Sequence, residues 1–468
     1  MGDARCIAVA IVLAGGCQQV FGLEHARLFD TNPPAPAAVF LTAANRDIGD
    51  HFGWSIALSA DASLIAIGAP GESSAATGVD GNQMDNSVAS SGAVYIFERT
   101  GTTWTQTAYL KASNTASGAV FGHAVALSAS GTTLVVGSPG EASAATGIGG
   151  NQADRSAANA GAAYVFVRDN QGWHQTAYVK ASNTDAGDSF GDAVAISAGG
   201  NTIAIGAYAE ASASASMPGD NSAPQAGAVY EVTRTPTSWQ ESQYIKSGSP
   251  QAMGWFGISL ALSSDGSTLA VGAALETNQG RTEAGAAYAF GGAVAFIYTA
   301  PNGDAMDHFG AAVALDAAGF TLVVGAPNEA SAATGIDGNE ADNTAPQSGA
   351  AYVFPAGNAK TTYVKATLAE DRAHLGKFLG LSDDGATLVV GAYGAGNGCL
   401  PGSGAGVAYL YHAAPSWTPT AKLTAAQSTA GDNFGWPSKI SGDATTIAIG
   451  APGDSQSAGA VYVFATPP

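Results

Sequence analysis

The stretch VFGHAVALSASGTTLVVGSP (120–139) holds a Phe-Gly pair, two short period-two runs and a Ser/Gly turn between them. Alternation at that period with a turn in the middle reads as a β-hairpin. The Phe-Gly pair recurs at 52, 121, 190, 256, 309 and 434, and Leu375-Gly376 fills the one gap, giving spacings of 69, 69, 66, 53, 66 and 59 residues. Each copy is followed by a small–large alternation such as AVAL (124–127) and a β-branched run such as LVVGSP (134–139). A third run opens on Gly and carries aromatics, as in GAVYIF (92–97), and a fourth is seen in WTQTAYLKAS (104–113). Four strands repeated seven times predict an all-β chain folded as a seven-bladed β-propeller of four-stranded blades.

Both ends of the array support a closed ring. The last copy stops after its third strand at Phe464, while AVFLT (38–42) stands before the first Phe-Gly where a fourth strand belongs. Joining the two would leave neither sheet edge open. The expected domains are therefore a signal segment over 1–16, a tether over 17–37 and the propeller over 38–468.

This grammar of Phe-Gly, Gly-Ala-Pro and Gly-x-x-Tyr resembles the FG-GAP repeat of integrin α heads and of exported bacterial propellers. The resemblance spans roughly 430 residues and implies the fold strongly and the function weakly. The family's calcium loop would lie between the first and second strands. Here those hairpins are short, as in SADAS (59–63) and SASGT (128–132), with too few carboxylates for the six to eight oxygens calcium prefers.

Longer connections lie between the second and third strands, at about 71–91, 140–160, 208–226 and 328–348. Loops of this length are commonly functional. Asp80, Asn82 and Asp85 alternate around Gly81, and Asp337, Asn339 and Asp342 repeat the pattern. These six residues are the candidate ligands of a Ca2+ cofactor; the other reading is an Asx-turn that folds the loop on itself. Gly149 replaces the first Asp in the second copy, which a ligand set would not tolerate.

Other motifs carry less. GDSFG (187–191) matches a nucleophile elbow, but Ser189 is a variable letter before a repeat and no strand–turn–helix surrounds it. GAYGAGNG (391–398) has no P-loop lysine, the seven His have no paired metal spacing, and Cys399 stands alone. Trp104, Trp173, Trp239 and Trp417 read as packing residues or as a sugar-binding ring. Lys111, Lys180, Lys246 and Lys365 close the fourth strands and read as guards against edge pairing. Trp54 and Trp436 would face either the axis or the rim.

The start of the chain, MGDARCIAVAIVLAGGC (1–17), has an apolar run of secretory length leading into Cys17. It resembles a bacterial lipoprotein signal, which implies acylation at Cys17 and a place at the outer membrane or cell surface. The net charge of −20, with no basic stripe, argues against a nucleic-acid partner. The expectation is a monomeric, non-catalytic adhesion or binding module that meets a protein or glycan through its long-loop face and the membrane only through its lipid. Alternatives are a glycan-binding lectin or polysaccharide-active enzyme using the axial funnel, and a passive spacer with no distinctive face.

Overall fold

The computed structural model describes residues 38–292, 294–357, 360–396, 404–425 and 428–467. The expected signal segment, the tether and the acylated Cys17 lie outside these residues, as does Cys399. Within them the chain forms seven four-stranded antiparallel sheets. Each is a simple meander in chain order, as in Ser55–Leu58, Leu64–Ala69, Ala93–Thr100 and Thr103–Leu110 of the first blade. The exception is the last blade, where Val39–Leu41 pairs with Ala460–Ala465 through Val39↔Val463, Phe40↔Tyr462 and Leu41↔Val461. The N-terminal strand thus supplies the missing fourth strand, and the ring closes between the two ends of the array.

No single core sits at the centre. The buried apolar residues fall into seven clusters, one between each pair of neighbouring blades. The second and third strands carry Ile, Val, Leu and Tyr on both faces, because each sheet is covered on both sides. Phe-Gly clasps one blade to the next. Phe121 is fully buried against Tyr164 of its own blade at a centroid distance of 5.3 Å, while its backbone bridges in parallel to Gly92 of the preceding blade. A Cβ on Gly92 would lie 2.0 Å from the Phe121 carbonyl oxygen, and one on Gly122 would lie 2.4 Å from that of Ala93. Only glycine permits that approach, so the pair is a packing device.

The hairpins between first and second strands make a second connection. Ala60 N–H donates to the Ala129 carbonyl at 2.9 Å, Ala129 to Ala198 at 3.1 Å and Ala198 to Ser264 at 2.9 Å. Ser264 donates to Ala317, Ala317 to Asp383 and Asp383 to Gly442, and Asp443 returns to Ala60 at 3.0 Å. These seven bonds form a closed belt around the end of the propeller opposite the long loops.

Candidate functional site

In an antiparallel blade the second-to-third and fourth-to-first connections leave from the same end. That end carries every long loop, and it is held by a buried polar framework. Lys111 Nζ lies 2.7 Å from Glu72 Oε2 and 2.7 Å from Ser91 Oγ, with both charged side chains fully enclosed. Tyr95 OH donates to Asn45 Oδ1 at 2.7 Å, and Asn45 in turn faces Glu72. Lys180–Glu141 at 2.9 Å, Lys246–Glu210 at 2.6 Å and Lys365–Glu329 at 2.8 Å repeat the pair in the second, third and fifth blades. Their Asn114, Asn183 and Asn302 each take a Tyr hydroxyl, from Tyr164, Tyr230 and Tyr352. Burial holds the four lysines below their ordinary pKa, with the facing glutamate opposing that shift.

The expectation that these lysines guard an outer edge is therefore corrected: they point inward and pin the loop face. The same four blades own the four long loops. The signal was present in the sequence, since Glu follows the GAP-type run and Lys ends the fourth strand in those copies. Blade 4 keeps Glu276 but has Thr299 at the lysine place, and Tyr288 OH donates to Glu276 instead.

The six candidate calcium ligands lie along two loops and are engaged by backbone N–H groups. Asp80 Oδ1 accepts from Tyr109 N at 2.9 Å, Asn82 Oδ1 from Met84 N at 3.2 Å, and Asp85 Oδ2 from Ala75 N at 2.7 Å. Asp337, Asn339 and Asp342 accept from Tyr363, Ala341 and Ala332 in the same way. The Ala75 N–H holds the Asp85 carboxyl below the usual carboxylate range, and the Thr344 hydroxyl, helped by the Ala332 N–H, does the same for Asp342. Among the described residues no group of three or more His, Cys, Asp or Glu converges as a metal site. Asp80 and Asp337 have φ of 53° and 52°, and the equivalent Gly149 has 73°. A left-handed turn accepts Asp, Asn or Gly, which accounts for the substitution. Each loop then lies along the outer edge of its blade, where Val79, Ile148 and Ile336 bridge to Leu110, Val179 and Val364.

Ser189 occupies a position that is left-handed in all seven blades, with φ of 58°, as do His51, Val120 and Asn433. It is a turn residue of the repeat. Of the strand-four tryptophans, Trp173 and Trp239 are buried, and the Arg99 and Arg234 guanidinium groups stand 5.7 Å from the rings of Trp104 and Trp239. They are packing residues.

Trp54 and Trp436 face the axis. The residue after Phe-Gly in each blade opens onto an axial chamber of about 400 Å³, whose wall includes Trp54, His123, Asp192, Lys377 and Trp436. Trp54 and Trp436 pack in a tilted pair at 4.9 Å, and Trp436 also meets Phe378 at 4.8 Å and Tyr393 at 5.1 Å. His123 Nε2 lies 3.2 Å from Asp192 Oδ1.

A family model described as FG-GAP repeat matches residues 38–97, 104–166, 173–233, 297–354 and 417–464. The fourth and sixth blades, whose first three strands lie outside these segments, are ones without the buried Lys–Glu pair. Among solved structures, a chain of Kuenenia stuttgartiensis hydrazine synthase superposes with a TM-score of 0.53 at 11% identity, over 91% of this chain and 98% of that one. At that identity the likeness shows the fold alone. No curated protein matches the sequence. The matched segments cover more than half of the chain, each running from the fourth strand of one blade through the first three of the next, and so the chain belongs to the FG-GAP repeat family.

Proposed function

We propose that this propeller is an exported, non-catalytic binding module, anchored at the cell envelope through an acylated Cys17, that holds a protein partner on its long-loop face. The observation that carries the reading is where the methionines lie. Apart from Met1, the chain has four, and all four are exposed on that face: Met84 at 71%, Met217 at 59%, Met253 at 49% and Met306 at 60%. Ile48 and Leu368 on neighbouring connections are exposed as well. Flexible, polarizable methionine side chains suit a surface that adapts to a protein, and an exposed apolar set on a rigid frame marks an interaction site. The framework of buried Lys–Glu pairs holds the loops in place before binding, which lowers the ordering cost of association.

The test is proximity labelling on intact cells with the native protein and a variant carrying Met84→Ser, Met217→Ser, Met253→Ser and Met306→Ser. Proteins labelled by the native chain should disappear from the variant's set while its melting temperature is unchanged. Identical labelled sets would sink the reading.

A further inference from the structure

The axial chamber departs from the symmetry of the repeat in a way that packing does not require. The seven residues after Phe-Gly are Trp54, His123, Asp192, Ile258, Ala311, Lys377 and Trp436. Ala311 shows that a small residue suffices at this place. The third residue of the inner strand shows the same departure. Strand register makes Ala57, Ala126, Ala195, Ala261, Ala314 and Gly380 equivalent, and the seventh blade places Lys439 there. A Cβ on Gly380 would stand 3.0 Å from Lys439 Cα, so the neighbouring blade gives way to the strand that bears the lysine.

Lys439 and Lys377 both line the chamber, and neither ammonium group forms an ion pair or hydrogen bond among the described residues. Lys439 is exposed to the lumen although protein surrounds the lumen on all sides. The charged groups on the chamber wall are Lys377, Lys439, Asp192 and His123. Two ammonium groups face one carboxylate on this wall, inside a chain of net charge −20. Surrounding protein lowers the pKa of both ammonium groups; for Lys377 the field of Asp192 opposes this. An anion entering the chamber would face two unpaired cations in a site of reduced dielectric.

The aromatic wall selects among anions. Trp54, Trp436 and Phe378 form one continuous half-buried group on the chamber wall, backed by Tyr393, and a second ring pair on the wall, Tyr208 and Trp255, meets at 5.3 Å. Such rings offer flat apolar faces beside polar groups, the combination found where a ligand has an apolar face and a hydroxylated rim. The His123–Asp192 pair supplies acceptor and donor atoms for hydroxyl groups. A chamber of about 400 Å³ suits one or two sugar rings.

From these features we infer that the axial chamber binds an acidic sugar of the uronate class, with the pyranose ring against the Trp54–Trp436 wall and its carboxylate taken by Lys377 and Lys439. This site is independent of the exposed methionines, and either can fail without the other. The test is intrinsic tryptophan fluorescence and calorimetry of the full chain with glucuronate, galacturonate, glucose and inorganic phosphate. Variants are Lys439→Ala and Trp54→Ala, residues that other blades already carry at the equivalent places. At least one uronate should bind at least tenfold tighter than glucose and phosphate, and each substitution should weaken it at least tenfold at unchanged melting temperature. Absence of uronate binding at tens of millimolar, equal binding of glucose or of phosphate, or full affinity in both variants would overturn the assignment.

Discussion

Single residues show where the repeat is strained and where burial costs stability. Val120 has φ of 50°, a region that β-branched side chains avoid, and the equivalent Asn433 occupies it with φ of 57°. Val120→Asn is expected to raise stability by about 1 kcal/mol, read from the denaturant midpoint. Asp307 is buried where its Oδ2 accepts from Asp304 N at 2.7 Å, and burial pushes its pKa up to about 7. Between the ordinary carboxylate range and that value the folded chain binds a proton that the unfolded chain has released. The contribution to stability is complete below about pH 4 and is lost as pH rises through 7. Asp307→Asn keeps an acceptor for Asp304 and removes the charge. Its melting temperature should equal the native one near pH 4 and exceed it increasingly from about pH 5 to pH 8. An unchanged difference across that range would show that Asp307 does not titrate as described.

At the level of strands and loops, the framework under the long loops is the feature with the largest consequences. Lys111→Met leaves the enclosed Glu72 without its cationic partner, and should cost about 3–5 kcal/mol. Adding Glu72→Gln should recover most of that loss, and a guanidinium titration of the three proteins decides it. Strand boundaries and hairpins were legible in the sequence because period two and turn residues are local signals. The inward turn of Lys111 was not, because a lysine at a strand end looks the same whether it meets water or a glutamate from another loop. Only the joint presence of Glu and Lys in blades 1, 2, 3 and 5 pointed to the pair. The positive φ shared by Asp80, Gly149 and Asp337 was not legible either, because an Asp beside a Gly reads the same in a left-handed turn as in any other solvated loop. The side chains that line the axial chamber were out of reach, since Trp54 lies more than three hundred residues from Lys377 and Lys439 and all three share one wall only once the ring is closed.

For the whole molecule, closure depends on a three-residue strand. A chain beginning at Ala44 lacks Val39–Leu41 and leaves the edge at Val461–Val463 unpaired, with Tyr462 deprived of its contact to Phe40. Such a chain should melt at lower temperature and scatter more light than the full-length chain at equal concentration, through association at the open edge. The seven-bond belt at the other end adds a further restraint. Ala60, whose N–H starts the series, is also the residue whose carbonyl completes it. A row of bonds with two ends can unzip from either one, but a loop has no loose terminus from which to begin. Disturbing one hairpin must therefore strain its neighbours on both sides, which ties the dissimilar blades into one mechanical hoop while the opposite face remains free to vary.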